Sequence, residues 1–169
     1  MRVLFLFVLL SNFTYAQSDE SAVQGTLQKN SFSLNIGTAL LANGGGVKYE
    51  RLIPKKKMYY TLSAGANLFR FNFFTTENHT VLFISNGLIT GIDTRNHFEA
   101  SIGLGWDNVN KEASGSIYGG SGGSSAAQYS QFIPVANIGY RFQAPNKGFV
   151  FRTGLGFPEL LYVGIGVVF

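Results

Sequence analysis

Apolar residues alternate with small or polar residues along most of this chain, and this period of two constrains the fold more than any other feature. The clearest example is Gly148 to Phe157, where one face carries Phe149, Phe151, Thr153, Leu155 and Phe157. Successive side chains of a β-strand point to opposite faces, so the pattern predicts a strand with one apolar face. No window keeps apolar residues at helical spacing for long. The sequence therefore predicts an all-β fold.

Eight segments carry this pattern between turn signals. They are Phe32 to Leu40, Val47 to Glu50, Met58 to Phe69, Thr80 to Ile92, His97 to Trp106, Tyr129 to Phe142, Gly148 to Phe157 and Leu160 to Phe169. The segment Thr80 to Ile92 is apolar on both faces, so its register stays open. Eight strands in chain order predict an antiparallel up-and-down barrel.

The connections predict which end of the barrel faces which way. Three are tight and polar: Pro54 to Lys57, Asp93 to Asn96 and Ala144 to Lys147. The others are expected at Ala42 to Gly45, Asn72 to His79, Asn108 to Gln128 and Pro158-Glu159. An even strand number places both chain ends beside the tight turns, as in barrels with short periplasmic turns and longer external loops. We expect the long, glycine-rich connection to face outward.

The composition decides which face of the strands points outward. Only 13% of the residues are charged, roughly half of the usual fraction in a soluble domain. With the apolar residues inside, the outer surface would consist of glycine, serine and few charges. With them outside, they form a lipid-facing band, flanked by aromatic residues, around a polar interior. We expect the interior to hold a network of charges made by Lys48, Glu50, Glu99, Arg141 and Arg152.

The first residues predict export. Arg2 precedes the apolar stretch Val3 to Leu10, and Thr14-Tyr15-Ala16 is a small-x-small cleavage site before Gln17. This stretch is far shorter than the roughly 20 residues of a spanning helix, so we interpret 1–16 as a cleaved signal peptide. Residues 17–30 are expected to form a mobile tail, and 31–169 the barrel domain. The chain contains no cysteine, which excludes disulfides and thiolate sites.

The last strand carries the most specific motif. It combines Tyr162, Gly164, Val167 and a final Phe169. This motif looks like the C-terminal β-signal recognised by the barrel-assembly machinery of outer membranes. The whole of 31–169 resembles the small eight-stranded outer-membrane barrels, the family of OmpX and the OmpA transmembrane domain. The resemblance implies a location in the outer membrane of a Gram-negative bacterium. It also implies contact with outer-membrane lipid and lipopolysaccharide, and assembly by that machinery as a monomer.

Several kinds of function are excluded or disfavoured. His79 and His97 are expected at opposite ends of the barrel, so a metal site is not predicted. No His-x-Ser pair appears, and the serine-rich run from Ser114 to Ser125 is a glycine loop, so we predict neither an enzyme nor a cofactor. A scattered net charge of +4 does not indicate nucleic acid.

Three functions remain. The first is a structural or surface-interaction role with the interior charges as a plug. The second is a narrow channel for small solutes through a rearrangeable network. The third is a soluble ligand-binding barrel.

Overall fold

The computed structural model describes residues 27, 29–39, 42–55, 58–72, 76–91, 95–112, 126–143 and 148–169. They form eight β-strands: β1 (Asn30–Ala39), β2 (Ala42–Pro54), β3 (Met58–Asn72), β4 (Thr76–Thr90), β5 (Asn96–Lys111), β6 (Ala127–Gln143), β7 (Phe149–Phe157) and β8 (Leu160–Val168). The described residues contain no helix long and apolar enough to cross a membrane. Every strand pairs with its neighbours in chain order, which confirms the predicted all-β fold.

The barrel closes between the first and last strands. β1 pairs antiparallel with β8, from Ser31 opposite Val168 to Thr38 opposite Leu160, with one register shift between Gly37 and Thr38. Beyond the ladder, Asn30 and Phe169 exchange two backbone hydrogen bonds of 2.9 Å each. The eight strands therefore form a closed antiparallel up-and-down barrel with no open edge along this seam.

Burial follows the period of two and is the reverse of that in a soluble barrel. Large apolar side chains point outward and are exposed, to 74% for Ile36 and 72% for Phe132. The charged side chains of Lys48, Glu50, Glu99, Arg141 and Arg152 point inward and are buried, to an exposed fraction of 0% for Arg141. The two faces of each strand therefore have the polarity expected from the sequence, with apolar residues outside.

Three expected connections are shorter than the sequence indicated. Ala42 to Gly45 was expected to be a turn, but these residues form the start of β2. Asn72 to His79 was also expected to be a turn, but β3 continues to Asn72 and β4 begins at Thr76. The long connection expected at Asn108 to Gln128 shortens because β5 reaches Lys111 and β6 begins at Ala127. Polar residues at these positions belong to strand ends and not to loops.

The structure also assigns the register that the sequence left open. On β4, Val81, Phe83 and Ile89 point into the barrel and are buried. Leu82, Ile84 and Leu88 point outward and are exposed. The lumen therefore contains large apolar side chains in addition to the expected charges.

The signal-peptide interpretation of 1–16 concerns residues outside the described part of the chain. Of the expected tail 17–30, the structure describes Leu27, Lys29 and Asn30. Leu27 is buried, and its backbone N–H donates to the Tyr59 hydroxyl at 3.1 Å. The Lys29 carbonyl accepts a hydrogen bond from the backbone N–H of Leu52 at 2.6 Å. These residues pack against the end of the barrel that carries the tight turns.

Candidate functional site in the barrel lumen

Five charged side chains from four strands meet inside the barrel. Lys48 and Glu50 lie on β2, Glu99 on β5, Arg141 on β6 and Arg152 on β7, each at an inward position of its strand. None has an exposed fraction above 4%. An unpaired charge would be very costly in such surroundings, so the network depends on its internal partners. The structure thus brings together all five residues singled out in the sequence.

Arg152 and Glu99 form the most extensively bonded pair. Arg152 Nε donates to Glu99 Oε1 and Oε2 at 2.8 and 3.0 Å, and Nη2 lies 2.8 Å from Oε1. The same Nη2 lies 3.6 Å from Glu50 Oε2. A forked guanidinium with two carboxylates in reach forms charge-assisted hydrogen bonds of defined direction. The pair links β5 to β7 across the lumen.

Glu50 joins the opposite wall to this pair. Its Oε1 accepts a hydrogen bond from Arg141 Nη1, and its Oε2 lies 3.2 Å from Lys48 Nζ. Arg141 also lies 3.7 Å from Glu99 through Nη1. Its Nε donates to Gln143 Oε1 at 2.8 Å, so that the guanidinium is held on two sides. These contacts tie β2 to β6, whose contacting residues are 91 positions apart in the chain.

Tyr162 is a member of the network that sequence reasoning assigned to another role. Its hydroxyl donates to Glu99 Oε1 at 2.9 Å. Gly139 on β6 leaves room for that hydroxyl, because an added Cβ would lie 2.7 Å from it. Its inward position on the last strand was visible in the sequence. However, its partner could not be identified without the strand pairing.

Apolar layers lie on both sides of the network. Toward the tight turns, Leu52, Tyr59 and Ile89 pack with Leu27. Toward the longer connections, Phe69, Val81, Phe83 and Val135 form a second cluster. Beside Lys48 and Arg152 lies a cavity of about 20 Å³, which is room for about one water molecule. Around the charges, the described part of the lumen is therefore occupied mainly by side chains.

Glu159, in the turn between β7 and β8, reaches into this cavity from the end with the longer connections. Its carboxylate accepts a hydrogen bond from the Asn67 side chain, and it lines the cavity with Lys48 and Arg152. Burial raises the pKa of the Glu159 carboxyl, although Asn67 and Lys48 act in the opposite direction. Glu159 was not singled out from the sequence, because nothing in a two-residue turn indicates that a side chain folds inward.

The two histidines lie in strands at opposite ends of the lumen. His79 Nδ1 lies 2.9 Å from Asp107 Oδ2, and the His79 ring stacks on Phe69 at a centroid distance of 4.7 Å. His97 Nδ1 lies 2.7 Å from the carbonyl oxygen of Thr90. Among the described residues, no group of three or more metal-ligating side chains is placed to hold a metal ion.

The residues of the expected assembly signal divide between the two faces of β8. Tyr162 and Gly164 point inward, whereas Val167 and Phe169 point outward and are 55% and 59% exposed. Phe169 also closes the seam through its backbone. The motif therefore contributes to the lumen through Tyr162, to the apolar outer surface through Val167, and to closure of the barrel through the backbone of Phe169.

Comparison with solved structures shows the same architecture in outer-membrane proteins. The N-terminal β-barrel domain of Pseudomonas aeruginosa OprF superposes with a TM-score of 0.57 at 16% identity, covering 86% of this chain and 100% of that one. Ail, the attachment invasion locus protein of Yersinia pestis, gives a TM-score of 0.55 at 13% identity with the same coverage. Ail in complex with the heparin analogue sucrose octasulfate gives 0.56 at 12% identity, again covering 86% and 100%.

No family model matches the sequence, and no curated protein matches it either. The identities are low, so the structural matches concern the fold alone. That fold is the closed eight-stranded barrel of small outer-membrane proteins, as the resemblance of the last strand led us to expect.

Proposed function

We propose that this chain is an outer-membrane β-barrel protein of a Gram-negative bacterium with a structural or surface-interaction role and a plugged lumen. The observation that carries the proposal is the reversed polarity of the barrel wall. Leu34, Ile102 and Leu155 lie on different parts of the outer surface and are 53%, 69% and 56% exposed. A bilayer covers such a surface, whereas water would leave it unfavourably hydrated.

Aromatic residues at the borders of this surface support the membrane location. Trp106 and Phe132 lie opposite each other on β5 and β6, with ring centroids 4.7 Å apart. The next outward residues toward the longer connections are Asn108 and Ser130, which share a hydrogen bond of 2.6 Å. This change from aromatic to polar residues is typical of a membrane-water interface.

A protruding part of the barrel wall supports the surface-interaction role. β5 and β6 pair as far as Lys111 opposite Ala127. β7 pairs with β6 only from Ala136 to Gln143. Residues 127–135 of β6 therefore have no ladder partner on their second edge among the described residues. Free backbone groups on an extended edge can accept a strand from another protein. We propose this edge, with the connection between β5 and β6, as the contact surface.

The basic side chains described near the protruding end do not favour a sulfated ligand such as the one bound in the Ail complex. Arg70 and Lys111 are the basic side chains described near the protruding end, and each has an acidic partner. Arg70 Nη2 lies 3.6 Å from Glu112 Oε2, and Lys111 Nζ lies 2.8 Å from Glu77 Oε1. A highly sulfated ligand needs positive charge that is free to pair with it.

The filled lumen favours the plug over the narrow channel. Eight strands enclose an interior that side chains can fill, and here two apolar layers flank the charges. Single-channel recording in planar bilayers tests this choice, and we expect no steady conductance. A steady conductance that disappears in Arg152→Leu would favour the channel and contradict the plug.

The soluble ligand-binding barrel makes opposite predictions about fractionation. We expect the protein in the outer-membrane fraction, resistant to extraction by urea or carbonate and released by detergent. The folded band should also migrate differently from the heated band on a gel. Extraction without detergent, with no mobility difference, would support the soluble barrel and refute the membrane proposal.

The proposed orientation places the connection between β5 and β6 outside the cell. Protease added to intact cells should cleave the chain between Glu112 and Ala126, leaving a protected fragment that contains the remaining strands. Protection of this connection in intact cells, with cleavage only after the outer membrane is opened, would reverse the orientation.

Removal of 1–16 is part of the same proposal, and the mature N-terminus should be Gln17.

A further inference from the structure

An amide side chain lies within the apolar outer surface of the barrel. Asn86 on β4 points outward and is exposed. It is flanked along the strand by Ile84 and Leu88 and across the ladder by Leu62 and Ile102. These four neighbours are between 44% and 69% exposed. In the proposed membrane the Asn86 amide therefore faces lipid and not water.

The ladder places Asn86 near the middle of the membrane. A row of residues, each paired with the next on the neighbouring strand, runs from β1 to β7. It begins at the end with the tight turns and finishes at the opposite end of the barrel: Asn30, Arg51, Leu62, Asn86, Ile102, Ala136 and Phe157. Asn86 is the fourth of these seven. Arg51 occupies the same row near the tight turns, where its charge can reach headgroups and water. The shorter side chain of Asn86, near the middle of the row, cannot reach the headgroups or water.

The amide has no partner within the described part of the chain. No side chain or backbone group there forms a hydrogen bond with it, and hydrocarbon offers none. A primary amide carries both donors and an acceptor, so a second amide is its natural complement. Polar side chains in the membrane interior usually face another protein group.

The surface around Asn86 permits close approach by another barrel. Ala64 and Ala100 lie on opposite diagonals from Asn86, paired with Ile84 and Leu88 respectively. Small residues beside a polar one allow two membrane segments to approach and the polar groups to bond. The patch is electrically neutral and can face itself, as a two-fold interface requires.

We propose that two copies of this chain associate in the membrane through this patch, with the two Asn86 amides hydrogen-bonded across a two-fold axis. The proposal replaces the monomer expected from the resemblance, and it rests on the proposed membrane location. The axis runs parallel to the membrane normal because both copies insert in the same orientation. Ala64 of one copy then lies near Ala100 of the second.

Leu104 provides a site for testing the geometry. It lies on β5, opposite Ile84 and one step diagonally from Asn86. Strands of such barrels tilt by about 40°, which brings Leu104 almost directly above Asn86 along the membrane normal. The two copies of Leu104 should therefore lie close to the proposed axis. Ile165, on β8, faces lipid on another part of the barrel wall.

The absence of cysteine makes the experiment specific. The variants L104C and I165C are reconstituted into phosphatidylcholine vesicles over a range of lipid-to-protein ratios and treated with a short thiol crosslinker. Crosslinked dimer is expected from L104C and not from I165C. Adding Asn86→Leu to L104C should weaken association roughly 3- to 30-fold. As a matched control, Thr153→Val removes another outward polar group and should leave association unchanged.

The outcomes separate this proposal from the membrane proposal. A protein that inserts and shows the heat-dependent gel shift, but gives no L104C dimer at any dilution, would overturn the dimer alone. Equal crosslinking with and without Asn86→Leu would also overturn it. Failure of the unmodified chain to insert into the vesicles would instead contradict the membrane proposal itself.

Discussion

Arg141 and Arg152 lie directly opposite each other on β6 and β7, which is unfavourable for two like charges. The structure compensates by placing Glu50 and Glu99 beside them. Arg141 bonds mainly to Glu50, and Arg152 mainly to Glu99. With Lys48, three cations surround two carboxylates, and Glu159 lines the same cavity as Lys48 and Arg152. Glu50 and Glu99 therefore offset the repulsion between Arg141 and Arg152.

Removing one member of the network should be far more costly than removing an exposed ion pair. In Arg152→Leu, Glu99 loses its strongest partner inside the lumen, and we expect a loss of about 3–5 kcal/mol in the free energy of unfolding. In Arg70→Leu, which breaks an exposed pair with Glu112, the loss should stay below about 1 kcal/mol. Urea unfolding in vesicles measures both variants. Equal losses would show that the network does not stabilise the barrel.

Glu159 should make the stability depend on pH. Burial raises the pKa of its carboxyl above the ordinary value of 4.5. The contribution of this raised pKa to the free energy of unfolding is therefore complete below 4.5. It is lost as the pH rises through the pKa of Glu159 in the folded state. Glu159→Gln removes the titration, so its stability relative to the unmodified chain should increase from about pH 4 toward pH 7. A constant difference across this interval would contradict the assignment.

At the scale of elements, the alternation of residues predicted the strands better than the turn signals predicted their ends. The residues Ala42 to Gly45 were expected to form a turn, yet they lie in β2. There, a Cβ on Gly46 would come within 1.9 Å of Asn67 Oδ1. Asn78 and His79 indicated a loop by their polarity, but they occupy a strand end beyond the apolar band. Glycines occur both in turns and at positions where strands pack closely. Polar residues occur both in loops and at strand ends that face water, so local composition does not distinguish these cases.

The candidate site was predictable only in part, for a related reason. The inward direction of Lys48 and Glu99 follows from the alternation. Their pairing does not, because Arg152 is 53 positions from Glu99 and Arg141 is 91 from Glu50. The inward turn of Glu159 and the apolar residues of β4 depend on register and on tertiary packing.

The last strand allows the assembly signal to be separated from closure of the seam. Deleting Phe169 removes its aromatic side chain and its two backbone hydrogen bonds with Asn30. Phe169→Ala removes only the side chain. If the aromatic residue is the signal, both variants should reduce the yield of folded barrel in the outer membrane several-fold, measured by the heat-dependent gel shift. Assembly of both variants at the unmodified level would exclude the signal.

At the scale of the whole molecule, the features combine into a barrel with an apolar outer surface, a filled lumen and a protruding edge. The outer surface fits a bilayer, and closure between β1 and β8 leaves no unpaired edge along the seam inside it. In the proposed function, the side chains that occupy the lumen restrict passage. The second edge of β6 extends beyond the last residue that pairs with β7. We therefore propose that the wall lies in the membrane and that the protruding end contacts a partner.

Trp106 allows the central claim to be tested in one measurement, because it is the only tryptophan of the chain and lies on the outer surface. The protein is reconstituted into vesicles whose lipids carry bromine at defined depths, and the tryptophan fluorescence is recorded. We predict strong quenching, greater for bromines near the headgroups than for bromines near the chain ends, as expected for an interfacial aromatic residue. Fluorescence that no brominated lipid quenches, from protein that stays outside the vesicles, would contradict a barrel embedded in lipid.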